Sequence, residues 1–290
     1  MTIINELLRD IPLPRMVKVR QNFTAPEIEN VAESVHEAID RASVLERILP
    51  GDRVAIAVGS RGVADIPVLV RETVRAVKRA GGRPFIVPAM GSHGGATAEG
   101  QIDVLAQLGV TEAAIEAPIR ATMEVEEIGR LKNGLPIYID KFAYEADKVI
   151  VINRIKPHTA FRGPVESGLM KMIPIGLGKQ KGAEAAHAFS FKYMAEHVVE
   201  MAKVAIQRVP VIFGLGTLEN AYDRPAKIVA IPAEEMINQE PKLLLEAKSL
   251  MPRIMFDPID VLVVNEIGKD ISGDGMDPNI TGRYATPYAS

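Results

Sequence analysis

The chain has no cysteine among its 290 residues. That excludes disulfides, thiolate metal sites and a cysteine nucleophile, and it says little about compartment. Positive charge is not in excess. Lys and Arg number 34 against 37 Asp and Glu, a net charge of −3, so nothing suggests the basic patch that nucleic-acid binders carry. No apolar run approaches the roughly 18 residues that mark a membrane-spanning helix. The N-terminus, MTIINELLRDIPLPR, has no basic region ahead of a long apolar core, so it does not read as a signal peptide. Internal repeats and low-complexity segments are also missing. These absences point to a cytoplasmic protein whose partners are neither nucleic acid nor membrane, and they leave the oligomeric state open. What remains, 47% hydrophobic and 24% charged, is ordinary globular composition, long enough for one large domain or two smaller ones.

Several runs carry a clear period. Residues 16–19 alternate like a short strand. Pro26 opens a predicted helix capped by Thr24, in which Ile28, Val31, Ala32, Val35, Ala38 and Ile39 recur at helical spacing. His36 falls beside its charged face and reads as a surface residue. Residues 54–58, VAIAV, form an unbroken apolar strand. A helix follows with Val70, Val74 and Val77 on one face, ended by Gly81-Gly82, and then a strand over 85–87. Strand, helix, strand at this spacing is a βαβ unit, and uninterrupted apolar strands belong to parallel sheets buried on both faces. The expected class is α/β, a mostly parallel sheet with helices on both faces and a Rossmann-like N-terminal domain.

Further along, Gly91, Gly94 and Gly95 surround Ser92 and His93 just after a strand and just before a helix that Thr97 caps. Ligands bind at that place in open α/β sheets. Asn133-Gly134 between two apolar runs predicts a hairpin attached to the sheet. The strand VIVI, 149–152, then opens into a long Gly-rich stretch holding His158, Lys171 and His187. Residues 189–207 read as a helix in which His197 is structural. Strands over 209–215 and 227–231 and a helix over 234–250 follow. Pro252 to Pro258 reads as a boundary, and 260–264 as a further strand. The expected domains are 1–252, carrying the chemistry, and 253–290, an incomplete C-terminal domain. The Gly- and Asp-rich tail suggests a fragment or a lost C-terminal region.

Familiar motifs fail on inspection. GLGKQKG, 176–182, is not a nucleotide phosphate loop, because Gln180 stands where a Ser or Thr hydroxyl would bind magnesium, and it reads instead as a flexible path between Lys171 and His187. Asp270, Asp274 and Asp277 do not meet the calcium-loop spacing and read as a solvated turn. The sequence has neither a G-x-S-x-G elbow nor an H-E-x-x-H zinc site. Three of the five histidines, His93, His158 and His187, read as lying in Gly-rich loops rather than on helix faces, and Lys171 joins them. Histidine suits proton transfer near neutral pH, and a lysine amine can carry a covalent cofactor.

At these residues the chain resembles the nickel-dependent lactate racemase family. The matching elements are Gly91-Ser92-His93, Glu145-Ala146-Asp147, Pro157-His158, the run Ser167-Gly168-Leu169-Met170-Lys171, Pro174-Ile175-Gly176 and His187. The resemblance covers roughly 50–190. It implies a nickel-pincer nucleotide joined to Lys171, His187 as the nickel ligand, and His93 and His158 as paired acid/base residues. Further cofactor contacts are implied at Ser60, Arg61, Ser167 and Gly168. The implied activity is a racemase or epimerase of a small 2-hydroxy acid, working by proton-coupled hydride transfer to the cofactor, with the cofactor-synthesis enzymes as partners. The chain departs from the family pattern. Val58 and Gly62 replace the Asp and Pro of D-x-T-R-P, and the interval from His158 to Lys171 is longer. For the substrate-binding lysine of the racemase second domain, only Lys269 lies nearby. A hydroxy-acid dehydratase or lyase, or a non-catalytic small-molecule binder, are the alternatives.

Overall fold

The computed structural model describes residues 3–12, 15–60, 62–268, 271–272 and 275–289. Its centre is a five-stranded sheet in the order β2-β1-β5-β6-β7. β1 (Arg53–Val58), β2 (Arg83–Pro88), β5 (Lys148–Arg154) and β6 (Val211–Glu219) are mutually parallel, and β7 (Pro225–Pro232) runs antiparallel beside β6. The expected α/β class, a mostly parallel sheet, is what the chain forms. The strands read as continuous apolar runs because both faces are covered. Val54, Ile56 and Val58 join a core beneath α1 (Val31–Arg41) and α2 (Ile66–Arg79). Ala55, Ala57, Val149 and Val151 join the opposite core, built with α4 (Lys179–Ala188), α5 (Met194–Arg208) and α6 (Met236–Leu250). Alternate side chains of one strand thus feed two cores. Between β2 and β5 lie α3 (Ala98–Gln107), which Thr97 caps as expected, and a ribbon of β3 (Val125–Arg130) and β4 (Pro136–Asp140).

The chain leaves β1 for β2 on one side and later returns to β5 on the other. The connections that leave the carboxyl ends of β1 and β5 therefore run to opposite sides, which opens a crevice where α/β proteins bind ligands.

Several expectations are corrected. The first helix starts at Val31, with Asn30 as its cap, and not at Pro26 after Thr24: Asn30 Oδ1 accepts the Glu33 N–H at 3.1 Å. Residues 24–29 stay extended because they bind elsewhere, with Ile28 N–H donating to Pro225 O (2.8 Å) and Asn220 to Pro26 O (2.9 Å). His36 is half-buried between Glu72 and Arg79 and not simply a surface residue. The hairpin forms, but as a separate two-stranded sheet rather than an attachment to the main one. Neither 16–19 nor 260–264 is a strand. Both are exposed, and neither pairs with any described strand. His197 is buried and accepts from Asn133 Nδ2 at 2.9 Å, a structural role. Asp277 caps the short helix Pro278–Thr281, whereas Asp270, Asp274 and Lys269 lie outside the described residues.

The last described residues fold back over the loop after β5. Arg162 N–H donates to Tyr288 O (3.0 Å), and Thr286 Oγ1 donates to Ala160 O (2.5 Å). Asn279 Oδ1 accepts from Arg162 (2.5 Å). Among the described residues no helix is long and apolar enough to cross a membrane.

Candidate active site

Three loops at the carboxyl ends of β1, β2 and β5 build the site. The β2 loop turns at Gly91, Gly94 and Gly95, with φ of 61°, 66° and 65°. At Gly94 the demand is absolute, since a Cβ would stand 2.5 Å from the Gly100 backbone. Buried Gln101 fastens this loop from below, donating to Gly91 O (2.9 Å) and His93 O (3.3 Å). From the β1 loop, Ser60 Oγ reaches His93 Nδ1 at 2.5 Å and orients the ring.

The β5 loop carries His158. Its backbone N–H donates to Glu166 Oε2 (2.8 Å), and buried Glu166 also takes Arg162 (3.1 Å) and Lys248 (2.7 Å). The ring stacks on Phe161 with centroids 4.4 Å apart. Its Nδ1 accepts the Ala160 N–H at 3.0 Å, so the neutral ring carries its proton on Nε2. Burial, reinforced by Lys171, Lys156, His187 and Arg162, pushes the His158 pKa down to about 2. At neutral pH this histidine is uncharged.

Lys171 ends a short helical turn, Leu169–Lys171, that continues into a π turn, Met172–Gly176. Buried Glu240, at the start of α6, receives the Met170 N–H (2.9 Å). Burial raises its own pKa to about 7. The close approach requires Gly168, where a Cβ would lie 2.3 Å from Glu240 Oε1.

Two expectations about this stretch are corrected. His187 does not lie in a Gly-rich loop. It sits in the last turn of α4, its ring 5.4 Å from that of Phe191. Residues 176–182 are packed rather than flexible. A Cβ at Gly178 would meet Pro174 O at 2.2 Å, and one at Gly176 would meet Met172 Sδ at 2.1 Å. Lys179, the apparent phosphate-loop lysine, is fully buried, pairs with Asp140 (3.1 Å) and donates to Gln101 Oε1 (2.8 Å).

One cavity of about 440 Å³ is lined by Ser60, His93, His158, Ser167, Gly168, Lys171 and His187 together. Arg61 lies outside the described residues. Sequence reasoning missed Lys156, which lines the same cavity, and Asn153, whose Nδ2 donates to Gly168 O at 3.1 Å. A signal for Lys156 existed. It stands two residues before His158 in an extended segment, where alternate residues share a face. Glu240 had no such signal, because only folding brings it beneath Gly168.

Among the described residues no three His, Cys, Asp or Glu side chains group to hold a metal. The cavity offers a metal one good donor, His187, whose imidazole is held below its ordinary pKa by partial burial and by Lys171. A neutral imidazole suits nickel, and a metal seated there needs its remaining donors from a bound group. The donor set fits a metal that arrives inside an organic cofactor, and the Lys171 amine lines the same cavity.

Fold and site together define an α/β protein with a histidine- and lysine-lined crevice at the carboxyl ends of its parallel strands. The chain matches the model of the lactate racemase N-terminal domain over residues 6–198, more than half its length, and it belongs to that family. Among solved structures it is similar to the lactate racemase apoprotein from Thermoanaerobacterium thermosaccharolyticum. The TM-score is 0.54 and the identity 17%, over 76% of this chain and 56% of that one. The likeness is one of fold, and this chain spans little more than half the length of that protein. No curated protein matches it.

Proposed function

We propose that the chain carries the cofactor-binding and acid/base part of a 2-hydroxy-acid racemase or epimerase. The observation that supports this most is the shared cavity, in which His93 and His158 meet Lys171 and His187. In this reading Lys171 anchors a nickel-pincer nucleotide, His187 is the protein's ligand to its nickel, and Ser60, Ser167 and Gly168 border it. When bound, that group supplies a reversible two-electron acceptor for the hydrogen at the substrate's C2.

The chain's own residues manage the hydroxyl proton. His93, oriented through Nδ1 by Ser60, takes the proton on Nε2 as the alcohol becomes a carbonyl. Neutral His158 presents its Nε2–H to the same oxygen. When the hydrogen returns to C2, protonated His93 gives its proton back to the oxygen; for a hydroxyl presented to His158 instead, that ring must first give up its Ala160 contact to accept the proton and later return it. The two histidines therefore enter the cycle unequally prepared. The apolar walls, including Ile175 and Phe191, limit water around the carbonyl intermediate. Residues 253–290 are, in this proposal, the start of a second unit.

The test is production together with the cofactor-synthesis enzymes. Expected are a mass increase on Lys171, nickel bound to the chain, and interconversion of the enantiomers of a 2-hydroxy acid, followed by chiral chromatography. Unmodified Lys171 and no nickel under those conditions would refute the reading. An irreversible product in place of the enantiomer would favour a dehydratase or lyase on the same histidines.

A further inference from the structure

We propose that Lys156 is the anion seat of this cavity and receives the carboxylate of the 2-hydroxy acid. The proposal rests on the racemase reading and names the group that holds the non-reacting end of the substrate.

The first observation is the charge of the lining. Among the described residues the cavity wall carries Lys156, Lys171 and three histidines, and no Asp or Glu. A crevice with fixed cations and no anion of its own favours an anionic ligand. Lys171 is the amine anchor in the racemase reading, which leaves Lys156 as the lasting cation.

The second observation is what surrounds Lys156. No described carboxylate stands within ion-pair distance of its ammonium. The acids that act on it from farther away are Asp277, Glu219 and Asp223. Glu219 is held by Arg154 at 2.5 Å and by the Ala64 N–H at 2.8 Å. Asp277 accepts both Asn279 N–H and Asn279 Nδ2, each at 2.9 Å. Asp223 lies 3.8 Å from Arg154 and is almost fully exposed. Meanwhile burial lowers the Lys156 pKa, because its charge has lost water without gaining a close partner. A carboxylate entering the cavity supplies that partner through a charge-assisted hydrogen bond.

The third observation is placement. Lys156 N–H donates to Ser167 O (2.8 Å), and Ser167 N–H donates to Lys156 O (3.1 Å). This pair of backbone bonds fixes the main chain at Lys156 next to the turn that bears Lys171. Lys156 also contributes to the field that keeps His158 neutral. Ammonium and imidazole therefore act in one small volume, as the carboxylate and hydroxyl of a 2-hydroxy acid require. Thr159 and Thr286, also on the wall, offer hydroxyls beside them.

An oxyanion here could be a carboxylate or the phosphate of a nucleotide, and the experiment separates them. Glycolate, the smallest 2-hydroxy carboxylate, and inorganic phosphate are each titrated calorimetrically into the purified chain and its Lys156→Gln and Lys156→Arg variants. Expected are glycolate affinity at least about tenfold weaker in Lys156→Gln, affinity within about threefold of wild type in Lys156→Arg, and phosphate affinity changed less than about threefold by either. Should Lys156→Gln lower the Tm, Lys156→Met, which keeps the apolar stem, takes its place and must lose glycolate to the same extent. Glycolate binding that survives in both neutral variants overturns the Lys156 assignment and leaves the racemase reading standing. Phosphate lost as strongly as glycolate overturns it by assigning the ammonium to a phosphate. A wild-type chain that binds no glycolate and, produced with the cofactor-synthesis enzymes, converts no 2-hydroxy acid overturns the racemase reading itself.

Discussion

Replacing Lys179 with Met should be among the most damaging single changes in the chain, although the residue never touches the cavity. Its ammonium is fully buried and makes three contacts: Pro88 O at 2.5 Å, Gln101 Oε1 at 2.8 Å and Asp140 Oδ2 at 3.1 Å. Asp140 is equally buried. Its Oδ1 accepts the Ala143 N–H (3.0 Å), and Oδ2 has only the ionic contact with Lys179. Met fills the stem but strands a carboxylate whose side chain is closed off from solvent. Breaking one side of a buried pair costs about 3–5 kcal/mol. Two further acceptors lose their donor, each a deficit of about 1–3 kcal/mol taken alone. The terms overlap, and Asp140 can take up a proton, since burial already raises its pKa. The expected loss is therefore about 4 kcal/mol rather than the sum. Urea unfolding followed by circular dichroism, with the slope unchanged, measures it. The double variant Lys179→Met/Asp140→Leu should recover a large part, because it removes both charges together. A loss below about 1 kcal/mol for the single variant, or no recovery in the double, would refute the reasoning.

Other consequences follow the titration signs and the packing. The His158 pKa is held near 2 in the folded chain, against an ordinary 6.5, so the unfolded chain alone takes up this proton below pH 6.5. Its contribution to stability is complete above pH 6.5 and drains by up to about 1.4 kcal/mol per pH unit below it. His158→Asn should accordingly flatten the acid limb of the urea midpoint plotted against pH. Glu240 has the opposite sign. Its pKa is raised to about 7, so stability falls as pH rises through that value. Glu240→Gln keeps an acceptor for the Met170 N–H and should stabilise the chain by about 1–3 kcal/mol near pH 8, with little effect near pH 5. Gly168→Ala would drive a methyl to within 2.3 Å of Glu240 Oε1, an atom that cannot retreat while its partner oxygen holds Met170. The expected loss is about 1–3 kcal/mol, read from thermal unfolding and accompanied by changed reactivity of Lys171 toward an amine reagent.

Much of the fold was legible because the signals were local or periodic. VAIAV and VIVI could only be strands buried on both faces, Thr97 capped the helix it preceded, and Asn133-Gly134 closed a ribbon. Which residues share the cavity was legible in part, His93 and His158 through their position after strands, Lys171 and His187 through the family resemblance. What could not be read was decided by distant partners. Residues 24–29 carry a helical period but are drawn to the edge of β7. The stretch 260–264 carries strand residues but meets no neighbouring strand. Glycines 176, 178 and 182 suggested a loose loop, yet each permits close packing onto Pro174 or Met172 in a helical path. Lys179 lies in a run already read as no phosphate loop, but its partner Asp140, from the separate ribbon, is one that only folding supplies.

The returning segment 279–289 gives the cavity two walls of different kinds. One wall is strand ends, where Ser60, His93 and His158 are anchored in the sheet and its loops. The other includes Ala285 and Thr286, which reach the cavity on a strap fastened to the β5 loop by hydrogen bonds to Ala160, Arg162 and His158 O. Exchanging the side chains at 285 and 286 changes the room in the cavity without replacing any of its histidines. The cavity's histidines and the returning strap that narrows it thus belong to separate parts of the chain.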